Sequence, residues 1–328
     1  MSQRLSCLRL SRRALLAALA APSVARAQDY PDRPLRLIVP FGPGGTVDLV
    51  GRLVGNRLSQ TIGQPVVIEN RGGASGAIGS VAAARAAPDG YTFLVGSTTT
   101  ISIYPQLEPN AGYDPARDFI GLSQAAYVPH VLVINPQIPA TSIAELLAWT
   151  KARREPLALG DGGVGTPHSL AGEILAQAAG IEVLHVTYKG GGEAHAALIA
   201  GTVNAASVEL SVASPYMRNG QMRAVGIAAR ERAPGFPDLP TFIEQGFPDY
   251  EITSWFGFFA PSHTPEAIAA RLEEAVVRAT LDPEVKDKLT AAGATVVGSG
   301  RGPFEAHLAR ERAKWGAAIR LAGVTATN

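Results

Sequence analysis

This sequence predicts an α/β fold, a parallel sheet covered by helices, and three observations point to it. Short β-rich runs alternate with amphipathic helical patterns along most of the chain. Several strand-like runs end in glycine-rich turns that lead straight into a helical pattern. The chain has 328 residues, 46% hydrophobic and 17% charged, enough for two domains at about 100–200 residues each.

Taken in order, the first 27 residues stand apart. Arg4, Arg9, Arg12 and Arg13 precede the apolar run Ala14–Ala21, and Ala25-Arg26-Ala27 supplies small residues for a cleavage point. This pattern predicts an export signal peptide cut after about Ala27. Eight apolar residues before Pro22 fall short of the ~20 a membrane-spanning helix needs. Ser11-Arg12-Arg13-Ala14-Leu15-Leu16 resembles a twin-arginine export motif, with Ala14 and Leu15 where a polar residue and Phe are commoner. Cleavage would take Lys+Arg from 29 to 24 against 28 Asp+Glu, turning a net charge of +1 into about −4. No basic excess is left for nucleic acid or an anionic membrane. The one cysteine, Cys7, would leave with the signal, which excludes disulfides, cysteine nucleophiles and thiolate metal sites.

In the remainder, Leu35–Val39, Val66–Glu69, Thr92–Val95, Val131–Ile134, Val183–Tyr188 and Arg223–Ala228 read as strands. Val50, Leu53, Val54 and Leu58 keep helical spacing, as do Leu170, Ile174, Leu175 and Ala178, and later Ile268, Leu272, Ala275, Val276 and Ala279. Ser142 with Glu145 predicts a capping box, and Thr264-Pro265 and Asp282-Pro283 place a capping side chain before a first-turn proline. No long linker occurs; the chain is expected to cross between lobes near Ala125–Pro129 and near Pro248–Ser254.

Two turns invite a ligand. After the strand at Leu35–Val39, Gly42-Pro43-Gly44-Gly45 lets backbone approach a bound group, and Thr46 is placed to cap the helix that follows. The unpaired N–H groups and positive end of such a helix attract anions. Neither a GxGxxG dinucleotide fingerprint nor a GxxxxGK phosphate loop is present. A second strand, Leu157–Gly160, runs into Asp161-Gly162-Gly163-Val164-Gly165 and then the cap, proline and first-turn residue Thr166-Pro167-His168. Gly96-Ser97-Thr98-Thr99-Thr100 adds a cluster of hydroxyls after a third strand. In open α/β sheets, ligands settle beyond the carboxyl ends of strands, where loops of this kind from two lobes can face one cleft.

Tyr30–Gly45, Gly63-Gln64-Pro65-Val66-Val67-Ile68-Glu69-Asn70-Arg71 and Ala87-Pro88-Asp89-Gly90-Tyr91-Thr92 together resemble the solute receptors of tripartite tricarboxylate transporters, the Bug receptors. His168–Glu173, Tyr188-Lys189-Gly190, Leu239-Pro240-Thr241 and Ser254-Trp255-Phe256-Gly257 extend the likeness in order along the chain. The resemblance implies a periplasmic binding protein of the second topological type, two α/β lobes joined by short crossovers with a ligand cleft between them. Its segments would be 28–127 for the first lobe, 128–250 for the second, and 251–328 returning to complete the first. It implies a periplasmic monomer that binds a small organic carboxylate and delivers it to the membrane subunits of the transporter. Phe41, Gly44, Gly45 and Asp48, then Ser97, Thr98 and Thr99, then Gly163, Thr166 and His168 are the ligand-binding residues it implies, with Lys189 as a further candidate.

Two positions depart from the family's pattern. Gly42 stands where a PFPPGG turn has proline, which would loosen the loop slightly. Val208 and Glu209 stand where an Asp-Asn pair is common. An ionised Glu209 in the cleft would repel the far end of a dicarboxylate, by about 4 kcal/mol at ~4 Å and an effective dielectric near 20. The expected ligand therefore has a neutral, hydrogen-bond-donating or amine far end.

Other functions fare less well on the residues. His130, His168, His185, His195, His263 and His307 show neither HExxH nor an i,i+4 pair, so spacing predicts no metal or cofactor. Gly73-Ala74-Ser75-Gly76-Ala77 misses a GxSxG nucleophile elbow at its last glycine, and no hydrolytic enzyme is expected. A receptor that reports its ligand to a membrane signalling kinase would share the same fold and cleft, and sequence does not separate it from an uptake receptor.

Overall fold

The computed structural model describes residues 30–163, 165–188, 191–233 and 235–323. The export-signal segment and Lys189 lie outside them. Strand β1 (Leu35–Val39) leads into helix α1 (Thr46–Ile62), then β2 (Val66–Asn70), α2 (Ala77–Ala84) and β3 (Thr92–Ser97). A π-helical turn (Thr98–Ile103), short helices α3 (Tyr104–Leu107) and α4 (Pro115–Asp118), and the 16-residue strand β4 (Phe119–Ile134) follow. The next group is α5 (Ile143–Arg153), β5 (Leu157–Asp161), α6 (Pro167–Ala179), β6 (Val183–Thr187), α7 (Gly191–Ala200), β7 (Ala205–Glu209), α8 (Leu210–Arg218) and β8 (Arg223–Ile227). The chain then runs through β9 (Thr253–Pro261), α9 (Glu266–Thr280), α10 (Pro283–Ala291), β10 (Thr295–Val296) and α11 (Arg301–Ala322).

The strands lie in the order β2-β1-β3-β9-β4-β7-β5-β6, with β8 and β10 also paired to β4. The two outer portions, β2-β1-β3 and β7-β5-β6, are parallel as the alternating pattern predicts. The centre departs from it: β9 runs antiparallel to both β3 and β4, and β4 antiparallel to β7 and β8. Strand β4 serves both halves. Its residues up to Pro129 pair with β9, and from His130 onward it pairs with β7. This divides the molecule into a first lobe around β1, β2, β3 and β9 and a second around β5–β8.

Helix α1 buries Val47, Val50, Val54 and Leu58, and glycines bring it close to its sheet. A Cβ on Gly51 would meet Val39 Cγ2 at 3.0 Å, and one on Gly55 would meet Leu37 Cδ2 at 3.1 Å. Helix α11 packs on both halves: Trp315 and Ile319 join the buried cluster of Leu132, Leu159 and Leu170, while its start packs on β9. Phe304 of α11 sits 5.7 Å from Trp255 and 5.2 Å from Phe259, ring to ring. All three are buried, each side chain contributing roughly 1.5–3 kcal/mol of apolar burial.

Helix starts show which local signals act. Asp282 accepts the Glu284 N–H, as its place before Pro283 predicts. The Ser142 box is only half made: Ser142 accepts the Glu145 N–H, but the Glu145 carboxylate turns to the N–H and hydroxyl of Thr141. Thr264 does not cap α9, because its hydroxyl donates to the Pro261 carbonyl at 2.7 Å and Pro265 takes the cap position.

Candidate functional site

The first glycine turn opens from the carboxyl end of β1. Gly45, with φ −83° and ψ 170°, is the N-cap of α1, and no side chain caps that end. Thr46, expected to cap it, is instead the first helical residue, because the extended glycine before it already takes the cap position. Its hydroxyl is therefore free to reach elsewhere, and the first N–H groups of α1 lack partners within the helix.

Asp48 is buried at 4% exposure. Its Oδ2 accepts the Gly44 N–H at 3.0 Å and Arg52 Nε at 2.9 Å, while Oδ1 accepts Asn70 Nδ2 at 2.8 Å. Burial pushes its carboxyl up, but the Arg52, Asn70 and Gly44 donors outweigh that and hold it below its ordinary value. Asp48 is thus a brace for the turn, and it also consumes the Gly44 N–H that the sequence offers to a ligand. Asn70 adds a second tie to the Phe41 carbonyl at 3.0 Å. The Phe41 ring packs on the turn Gly72–Gly76, where Ala74 and Ser75 hold φ of 48° and 50°, sparsely populated values of the sort stored at functional sites. A Cβ at Gly42 would meet nothing within 4 Å.

The hydroxyl cluster follows β3. Ser97 caps the π-helical turn in a reciprocal pair with Thr100, and Thr98 Oγ1 accepts the Trp255 N–H at 2.8 Å. Both hydroxyls are spent on shape. The Thr99 side chain, 8% exposed, bonds to no described residue and remains available. A π-helical turn is a frequent marker of functional sites.

In the second glycine turn, Asp161 Oδ1 accepts the Gly163 N–H at 3.0 Å and Oδ2 lies 3.1 Å from His185 Nδ1. That bond to Asp161 raises the His185 pKa against its burial, with Glu173 adding to it. Thr166 caps α6 reciprocally with Ser169 and donates to the Gly163 carbonyl at 2.9 Å. Gly163 and Thr166 thus shape the loop. Gly165, at φ +74°, seats it on α3, since a Cβ there would lie 2.3 Å from Leu107 Cδ1.

The two lobes converge on Glu209, which ends β7 and occupies the N-cap position of α8. Thr46 Oγ1 donates to Glu209 Oε2 at 2.8 Å, and Ser211 Oγ lies 2.9 Å from the same Thr46 oxygen. Glu209 therefore meets the start of α1, the helix end that the first glycine turn opens. Its strand partner in register is His130, fully buried, with Ser207 Oγ 3.0 Å from Nδ1 and Ser254 Oγ 2.9 Å from Nε2. Burial, followed by the charges of His168 and Lys314, pushes His130 well below its ordinary pKa and keeps it neutral. The His168 ring, in the first turn of α6, stands 4.8 Å from that of His130. Donor atoms of His130, His168 and Glu209 all lie within 4.8 Å of one another, a grouping that histidine spacing along the chain did not reveal. His130, Ser207, Ser211 and Ser254 are thus site residues missed in the sequence, where only strand register could have found them. A separate recess of about 1200 Å³, bordered by Tyr127, Trp255, Lys286, His307 and Lys314, holds none of the predicted ligand residues.

The family model described as tripartite tricarboxylate transporter family receptor matches residues 50–324. The chain belongs to that family. It is similar to the protein BugT of Bordetella pertussis, 34% identical over 308 residues and 94% of each chain. Among solved structures it is similar to Rpa4515 of R. palustris with adipate, at 33% identity and a TM-score of 0.86 over 90% of this chain and 99% of that one. It is also similar to MatC of Rhodopseudomonas palustris with bound malate, at 33% identity and a TM-score of 0.80 over 88% of this chain and all of that one. The family's fold, two α/β lobes of a periplasmic binding protein, is the fold of this chain, and no helix among the described residues is long and apolar enough to cross a membrane.

Proposed function

We propose that this protein is an exported, monomeric receptor that binds a small organic carboxylate between its lobes and hands it to tripartite transporter membrane subunits, with no catalytic step. One observation carries the reading. The uncapped N-terminus of α1, with Thr46 as its first residue, meets Glu209 and Ser211 of the other lobe. A carboxylate there would accept main-chain N–H groups from one lobe and side-chain contacts from the other, favouring closure through its higher affinity for the closed form. The carboxylates held by two relatives, adipate and malate, support the same ligand class.

In this reading Gly45, Thr46, Thr99 and His168 contact the solute, while Asp48, Ser97, Thr98, Gly163 and Thr166 shape its walls. Segments 28–127 and 251–328 form one lobe and 128–250 the other, supported by the change of β4 partners at Pro129 and His130. The solute complements Glu209 with a hydrogen-bond donor or a positive charge. Export with cleavage after about Ala27 places the receptor in the periplasm.

The test is calorimetric titration and thermal shift of the purified chain beginning at residue 28 with malate, adipate, citrate, amino acids and aromatic acids. A ligand at 100 times its Kd adds about 2.7 kcal/mol of stability. No response to any carboxylate, in metal-containing and metal-free buffer alike, overturns the assignment.

A further inference from the structure

The positive charge that Glu209 calls for need not belong to the solute. We propose that His130, His168 and Glu209 form a site for a borderline divalent transition metal, Zn²⁺, Ni²⁺ or Co²⁺, whose remaining coordination is completed by the solute's carboxylate. The proposal rests on the carboxylate-receptor reading and names the form in which the acid is taken: as a metal chelate.

The ligand set fits this class of ion. Two imidazoles and one carboxylate are nitrogen and oxygen donors of the kind that bind Zn²⁺, Ni²⁺ and Co²⁺, and three protein ligands leave an open position of the sort that takes water or substrate. The residues come from three rigid places: mid-strand in β4, the first turn of α6 and the end of β7. Their donor atoms lie within 4.8 Å of one another, whereas metal–ligand bonds of about 2.0–2.2 Å put donors roughly 3.3 Å apart. Binding would therefore draw the three donors together by up to about 1.5 Å.

Each donor has capacity to spare. Glu209 Oε2 takes the Thr46 hydroxyl, and Oε1 carries no hydrogen bond among the described residues. His168 likewise bonds to no described residue through its ring nitrogens. His130 is held by two serines. An ion on one nitrogen displaces one hydroxyl and leaves the other serine as the orienting partner that a metal-bound imidazole usually keeps. A solute carboxylate would then lie between two positive ends, the ion and the N-terminus of α1. This explains how a chain with an acid at that place can take the class of ligand that two solved relatives hold, adipate and malate.

The experiment uses the tag-free chain from residue 28, stripped with chelator, and titrates ZnCl₂ and NiCl₂ by calorimetry and CoCl₂ by visible absorption. The expected result is one equivalent bound, with ligand-field bands of nitrogen-ligated Co²⁺, and affinity falling at least tenfold in both His168→Ala and Glu209→Gln. Malate should bind the Zn²⁺-loaded protein at least tenfold more tightly than the stripped one, and circular dichroism should be unchanged in both variants. Absence of binding, or binding that both variants retain, which marks an adventitious ion only, overturns the proposal. Equal malate affinity with and without metal also overturns it, while leaving the receptor reading standing.

Discussion

Replacing Thr46 with valine tests the contact between α1 and the end of β7. Valine keeps the shape of threonine and removes the hydroxyl that donates to Glu209 Oε2 at 2.8 Å and meets Ser211 at 2.9 Å. A hydrogen bond to a charged group contributes about 1.5–3 kcal/mol. Thr46 is 4% exposed, so water replaces little of that while the lobes stay together. When they part, Glu209 regains water and the difference disappears. The whole change therefore falls on the equilibrium between open and closed forms, and at 1.4 kcal/mol per tenfold it amounts to about 10- to 100-fold. Ile78 and Leu184 are 56% and 55% exposed and sit on opposite lobes, and the chain from residue 28 has no cysteine of its own. Spin labels on Ile78→Cys and Leu184→Cys would report the interlobe distance without solute. Thr46→Val should move the population toward longer distances, whereas Thr46→Ser, which retains the donor, should not. Identical distributions for wild type, serine and valine would refute the reasoning.

Three further outcomes follow from the packing and charges. A Cβ on Gly79 would lie 2.7 Å from both the Arg71 carbonyl oxygen and Pro40 Cα; these are backbone atoms that cannot rotate aside, so Gly79→Ala should lower the urea midpoint by about 1–3 kcal/mol of stability. Asp48→Ala strands one N–H of the Asn70 amide and the Gly44 N–H and should cost about 1–3 kcal/mol in the same assay, more than Arg52→Ala, because Arg52 is half exposed. Burial lowers His195 and His307 to about 4, with His168 adding to the first and Arg310 and Lys314 to the second. An unfolded histidine titrates near 6.5, so the unfolded chain binds protons that the native one refuses, and stability should fall as pH drops from about 6.5 to about 4. His185, raised by Asp161, acts oppositely: its contribution is full below about 6.5 and is lost as pH rises through its folded value. Urea midpoints across pH 4–8 check the sign, and His307→Phe should make the acid-side fall shallower.

Much of the outer fold was legible because its signals are local. Strand β1, helix α1 and the Thr166-Pro167 start of α6 each carry their own pattern and punctuation, and they lie where sequence reading puts them. The centre was not. Strand β7 has one β-branched residue in Ala-Ala-Ser-Val-Glu and passes into α8 with no turn between. The first half of β4, Phe119–Pro129, contains glycine, serine, glutamine and alanines, residues that signal a strand only once β9 lies beside them. The site divides in the same way. The glycine turns were visible, yet the roles of Asp48 and Thr98 depend on partners that folding brings to them. The pairing of Thr46 with Glu209 spans 163 positions, and that of His130 with Glu209 is a matter of register, which no window along the chain records.

The partner exchange in β4 bears on how the molecule moves. At that level the His130 N–H bonds to the Ile252 carbonyl, the Ile252 N–H to Ala228, and the Ala228 N–H back to His130. Three passes of the chain are thus laced in a ring no thicker than one residue, beside a proline that offers no N–H of its own. A turn of one half against the other at this ring would break no ladder bond of either sheet. His130 belongs to this lacing and also lies beside Glu209 and His168, so a group held between those two side chains would sit where three passes of the chain are joined.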